Sequence, residues 1–129
     1  MQDTYSKRSL GNIGEELTAY YLGRSGYKIL KRNYAVKGGE IDIIAEKDGI
    51  IAFVEVKTRS ENYLENGVDA VNYRKRRLII RASQEYLYRI GSGCQPRFDI
   101  SEVVLRGTKP VRFRYYDNAF DAGELSLIL

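Results

Sequence analysis

Asp42 stands between Ile41 and Ile43, Glu55 stands between Val54 and Val56, and Lys57 follows two residues later. Carboxylates and a lysine thus interrupt two runs otherwise apolar enough to be core strands. Side chains alternate along a strand, which places Glu55 and Lys57 on one face about 7 Å apart and Val54 and Val56 on the other. Ionised groups rarely enter a sheet centre unless they are paired, metal-bound or catalytic. The short turn Lys47-Asp48-Gly49 makes the two strands neighbours, so Asp42 and Glu55 can meet across them. Ionising both is costly without a compensating cation, and Lys57 supplies one charge; a divalent metal is the natural remainder. Carboxylate oxygens without histidine or thiolate suit Mg²⁺ or Mn²⁺. Phosphodiester hydrolysis uses these parts: metal to neutralise the phosphate and acidify a water, lysine to orient that water or offset the charge of the pentavalent state. An isolated strand acid more often faces solvent, and Glu-x-Lys alone is common by chance. Their combination on adjacent apolar strands carries the information.

Composition narrows the chemistry further. The 129-residue chain has no histidine and one cysteine, which removes Ser-His-Asp and Cys-His triads, histidine general bases and zinc hydrolases. The length suits one domain, residues 1–129, with its own core and no compositional break to mark a linker. No stretch approaches the roughly 18 apolar residues of a membrane helix, and Met1-Gln2-Asp3-Thr4-Tyr5 lacks a signal peptide's apolar core. A cytoplasmic protein without membrane partners is expected. A net charge of +4 is too mild to argue for nucleic acid by itself. Its distribution says more: cations gather at Lys28, Lys31 and Arg32, at Arg74 to Arg77, and at Lys109, Arg112 and Arg114, with acids between Glu40 and Glu65.

The elements that must hold these residues follow from periodicity. Leu10, Ile13, Leu17, Tyr20 and Tyr21 recur at helical spacing from about Leu10 to Arg24, with Gly26 placed to stop the helix. Glu15 lies nearly opposite that stripe and reads as a solvated helix acid, with only Ala19 and Leu22 hinting at a second buried stripe that includes it. Tyr27 to Tyr34, Glu40 to Ala45 and Ile50 to Thr58 read as three strands of an antiparallel meander joined by Lys37-Gly38-Gly39 and Lys47-Asp48-Gly49. A second amphipathic helix spans Val68 to about Ile90, ended by Gly91-Ser92-Gly93. Arg97 to Leu105 and Val111 to Tyr116 complete the set as two strands around a Gly107 to Pro110 turn. On the second helix Arg74, Arg77 and Arg81 form a stripe equally consistent with solvent or phosphate. Lys75 falls instead on the apolar side with Val71, Leu78 and Ile79, facing the sheet and the Asp42 and Glu55 pair. Arg59 shares the Glu55 and Lys57 face and is a candidate phosphate contact. The eleven tyrosines fall mostly at packing positions.

Gly14-Glu15, Asn33, Gly39-Glu40-Ile41-Asp42, Phe53-Val54-Glu55-Val56-Lys57-Thr58-Arg59, Ala70-Val71 with Lys75, and Arg97-Phe98-Asp99 together resemble the YraN-like family of small bacterial proteins. That family's pattern is similar to the restriction-endonuclease-like superfamily and its Holliday-junction resolvases. The resemblance implies an α/β fold of helix, three-stranded meander, helix and two further strands in a mixed central sheet. It further implies Asp42 and Glu55 as metal ligands, Lys57 as the catalytic lysine and Glu15 as a further acid. Lys75 corresponds to the polar residue that this helix supplies in related nuclease folds. Thr18 stands where the family usually has alanine, and the loop from Ser60 to Asn66 lacks the usual early glycine, Gly67 falling too late.

The expected function is a Mg²⁺- or Mn²⁺-dependent nuclease acting on DNA in preference to RNA, with junction DNA and a homodimer suggested by the resolvase resemblance. Two other classes stand beside it: a nucleic-acid-binding module that does not cut, and an interaction protein whose buried charges form a structural ion-pair network. Metal binding lost on Asp42→Ala separates the first from the others, and salt-sensitive, metal-independent DNA binding marks the second.

Overall fold

A computed structural model describes residues 6–62 and 73–121. Its elements are α1 (Lys7–Arg24), β1 (Lys28–Val36), β2 (Gly39–Lys47), β3 (Ile50–Ser60), α2 (Tyr73–Ile90), β4 (Gln95–Arg106) and β5 (Lys109–Phe120). The strands form one sheet in the order β1-β2-β3-β4-β5, antiparallel except between β3 and β4, which run parallel. This is the expected α/β order of helix, meander, helix and two strands in a mixed sheet. The expected start of the second helix, Val68 to Asn72 with Ala70 and Val71, lies outside the described residues, as do Gly67 and the loop from residue 63 onward. Among the described residues no helix is long and apolar enough to cross a membrane.

Local chemistry explains the boundaries. Ser6 caps α1 by accepting the Ser9 N–H at 3.1 Å. At the other end Gly26 takes a left-handed φ of 91°, and the Tyr27 N–H returns to the Leu22 carbonyl at 2.9 Å, a Schellman closure. The same device ends α2, where Ser92 N–H reaches the Leu87 carbonyl past Gly91. Asp48 and Gly49 both have positive φ, as a two-residue hairpin turn with the native twist requires.

Both faces of the central strands are covered, which is why β2 and β3 read as nearly continuous apolar runs. On one face Ile41, Ile44, Ile51, Phe53, Phe98 and Ile100 pack with Ile79, Ala82 and Tyr86 of α2. On the other, Ile43, Ala45, Ala52 and Val54 pack with Leu22 of α1.

The α1 packing corrects the sequence reading. The residues of α1 that are fully covered are Gly14, Thr18 and Leu22, whereas Tyr20 is 57% exposed and Leu10, Ile13 and Leu17 are only half-buried. A Cβ on Gly14 would lie 3.2 Å from Thr58 Cβ, 3.3 Å from Val56 Cγ1 and 1.9 Å from Thr58 Oγ1, so the helix backbone rests directly on β3. The Thr18 hydroxyl bonds the Gly14 carbonyl at 2.8 Å and the Ser101 hydroxyl of β4 at 2.7 Å, so this buried polar group is satisfied. A small-residue seam lets helix and sheet approach closely, and it turns the flank carrying Glu15 toward the sheet.

Asp99 anchors the far side of the sheet. Fully buried on β4, it accepts three hydrogen bonds from Arg97, one from the Tyr115 hydroxyl and one from the Asn118 N–H, while Arg97 also donates to the Tyr27 hydroxyl. The carboxylate raises the Arg97 pKa, and burial followed by the Asp99 charge raises that of Tyr115. The Arg97-Phe98-Asp99 segment thereby ties β4 to β5 and to the start of β1.

Candidate metal centre

The β2–β3 ladder runs from Lys47↔Ile50 to Ile43↔Val54 and stops. Continued by one step, it would set Asp42 directly opposite Glu55. Instead the Val56 N–H donates to the Asp42 carboxylate at 2.7 Å, a side chain taking the role of a ladder carbonyl. The strands part where the acids sit. Alternation along β2 breaks at the same point, since Ile41 packs on the α2 side with Ile44 while Ile43 lies on the α1 side.

Opposite Asp42, between the pairs Arg32↔Ile43 and Tyr34↔Ile41, Asn33 of β1 adopts a left-handed φ of 51°. Such a conformation within a strand is uncommon for a residue other than glycine, and asparagine tolerates it best. Its side chain hydrogen-bonds Glu15. Carboxylate oxygens of Glu15, Glu40 and Asp42 all lie within 4.8 Å of one another, bringing α1 and both ends of the β2 entry to one point.

Glu55 enters from β3. Among the described residues its buried Oε2 has no hydrogen-bond partner, and Lys75 Nζ stands 3.6 Å away, an ion-pair distance but longer than a hydrogen bond. Lys75 also donates to the Glu40 carbonyl at 3.2 Å, so α2 contributes its cation to the same cluster from the sheet-facing side.

Electrostatics follow from this crowding. Burial pushes the Asp42 carboxyl up to about 6, aided by Glu15 and Glu40 and opposed by the Val56 N–H and Lys75. Burial, then the Asp42 charge, pushes Glu55 up to about 8, with Lys75 and Lys57 pulling the other way. Glu15 is also raised, burial outweighing the Asn33 hydrogen bond and the Arg32 charge. The site gathers more negative charge than its lysine offsets. Asp42, Glu15 and Glu40 are hard oxygen donors that could hold a Mg²⁺ or Mn²⁺ ion.

The other sequence candidates fall in different places. Lys57 is half-buried on the Glu55 face of β3, near enough for its charge to lower the Glu55 pKa. Arg59, expected as a phosphate contact, points its guanidinium instead at Glu102 of β4, in an ion pair whose side chains are 11% and 2% exposed. Arg74 and Arg77 are exposed on α2, Arg77 lying over the Tyr73 ring. Sequence reasoning missed two participants. Glu40 was passed over because it precedes the apolar run and is exposed, and Asn33 because its role depends on a backbone conformation; the adjacency of Glu40 to Asp42 in Gly39-Glu40-Ile41-Asp42 was the available signal.

Fold and site define an α/β protein of restriction-endonuclease-like order with a carboxylate cluster where two central strands part. Residues 14–103 match Uncharacterised protein family UPF0102, and the chain belongs to that family, the YraN family. Similar relatives carry the same family name. One from Alkaliphilus oremlandii is 46% identical over 116 residues, covering 88% of this chain and 98% of the relative. Another from Alkaliphilus metalliredigens is 42% identical over 114 residues, with coverage of 88% and 98%. A third, from Syntrophotalea carbinolica, is 43% identical over 122 residues, covering 92% and 96%.

Proposed function

We propose that this protein is a divalent-metal-dependent nuclease that hydrolyses phosphodiester bonds in DNA. The observation that carries the reading is the convergence of the Asp42, Glu15 and Glu40 carboxylates beside a buried Glu55 whose Oε2, among the described residues, has no hydrogen bond and meets Lys75 at 3.6 Å. A bound Mg²⁺ or Mn²⁺ would supply charge neutralisation at the scissile phosphate and a more acidic water.

The chain's own residues do the rest. Asp42 is fixed by the Val56 N–H and has a carboxylate oxygen within 4.8 Å of those of Glu15 and Glu40. Asn33 holds Glu15 in place from β1. Lys75 balances Glu55 from α2, so the pair does not repel the substrate phosphate with its full charge. Lys57, on the Glu55 face of β3, is the residue to orient the attacking water and stabilise the charge that builds on phosphorus-bound oxygens. Branched or junction DNA as substrate and a homodimer cutting two strands belong to this proposal through the resolvase resemblance, and a cytoplasmic setting through the sequence expectation.

The test is cleavage of labelled single-stranded, duplex, flap and four-way-junction DNA with Mg²⁺, Mn²⁺ or EDTA, wild type beside Lys57→Ala. Metal-dependent cutting that falls at least about a hundredfold in the variant is expected, the usual scale for losing a group that acts on transition-state charge. Metal-independent cutting, or equal cutting by both proteins, would sink the proposal.

A further inference from the structure

Next to the carboxylates lies a cleft of about 430 Å³ lined by Arg8, Gly11, Asn12 and Glu15 of α1 and by Asn33 and Glu40 of the β1–β2 hairpin. Arg8, Asn12 and Glu15 are spaced four and three residues apart, so they form one stripe along the helix. Gly11 beside them opens the wall: a Cβ added there would meet nothing within 4 Å. The cleft is therefore graded in chemistry. Glu15 and Glu40 belong to the carboxylate cluster, while Asn12 and Arg8, both exposed, present an amide about one and a cation about two helical turns away.

The start of α1 points to the sign of the ligand. Lys7 and Arg8 occupy the first turn, which contains no acidic residue. Helix N-termini carry partial positive charge and their unpaired N–H groups favour anions, so two cations there are unfavourable unless an anion joins them. In the same helix Arg24 sits in the last turn, where a cation is favourable. Cations at the wrong end, beside an open cleft, match an anion supplied from outside the chain.

We propose that this cleft binds a backbone phosphate of the substrate strand, with Arg8 and Asn12 as its contacting side chains. The assignment rests on the nuclease reading and adds a substrate contact on α1, on the opposite side of the site from Arg74 and Arg77. It orders the cleft from phosphate grip at the helix start to carboxylates at Glu15, so that the strand is drawn along α1 toward the metal cluster. Asn12 accepts the geometry of a neutral donor, and Arg8 provides the charge.

The experiment measures binding of a fluorescein-labelled single strand and of a four-way junction, in Ca²⁺, across a salt series, for wild type, Arg8→Gln and Arg24→Gln. Mn²⁺ binding to each protein is titrated separately. Arg8→Gln is expected to weaken DNA binding and to lower the log–log salt slope by about 0.7 to 0.9, the loss of one phosphate contact, with Mn²⁺ binding unchanged. Arg24→Gln, which removes the same charge from the far end of the helix, is expected to match wild type. An Arg8→Gln slope equal to wild type, or an equal drop in both variants, overturns the cleft assignment and leaves metal-dependent cleavage standing. A wild type that neither binds Mn²⁺ nor cleaves DNA overturns the nuclease reading and the cleft with it.

Discussion

Glu55 and Asp42 each hold a proton more tightly in the folded chain than in the unfolded one, because burial, with the Asp42 charge acting on Glu55 and the Glu15 and Glu40 charges acting on Asp42, disfavours their charged forms. Unfolded carboxyls titrate near about 4, so from there up to the folded values of about 6 and about 8 the native state binds more protons. Stability must then fall as pH rises through that window, with no penalty below it. In EDTA the melting temperature should drop between pH 5 and pH 8 more steeply for wild type than for a protein carrying Asp42→Asn and Glu55→Gln. Mn²⁺ should restore wild type more at pH 8 than at pH 5 and should do nothing for the double variant. Parallel pH profiles for the two proteins would contradict the electrostatic account. The acids themselves were legible, since charged residues inside apolar runs announce themselves. Their partners were less so: Arg59 was placed on the right face, but Glu102 arrives through a parallel pairing between distant segments, and no local pattern shows that it claims the guanidinium.

At the scale of elements, the meander, both helix stops and the sheet-facing position of Lys75 were readable, because turns and amphipathic periodicity are local properties. The orientation of α1 was not. Hydrophobic periodicity favours the face with the largest apolar side chains, whereas the observed face is chosen by closeness of approach, which only Gly14 permits. Replacing Gly14 by alanine should therefore force α1 off β3, costing about 1–3 kcal/mol by overpacking. Urea unfolding should show a lower midpoint, partly restored by Thr58→Ala, which removes the atom 1.9 Å from the new methyl. Because Glu15 follows Gly14 directly, Mn²⁺ affinity should fall with the stability. Unchanged unfolding in Gly14→Ala would mean that the seam is looser than its geometry.

For the molecule as a whole, the sheet divides its labour. Its β4–β5 side is held by the satisfied Arg97, Asp99 and Tyr115 network, while its β2–β3 side is left parted and charged. The division also spans a difference in chain distance. Asp42 and Glu55 belong to a hairpin closed by Asp48-Gly49, whereas the β3–β4 pairing joins Ile50 to Gln95 across α2. Hairpins close in microseconds and long-range parallel pairing is slow, so the two acids are expected to meet before the sheet is complete. On that expectation their repulsion is felt in the folding nucleus. Chevron plots in EDTA should show refolding slowing from pH 5 to pH 8 while unfolding barely changes, and a change confined to the unfolding arm would place the acids' encounter after the barrier. The residues that gather charge for the site would thus act as a brake on the chain's own folding, released by acid and, where it binds early enough, by the metal.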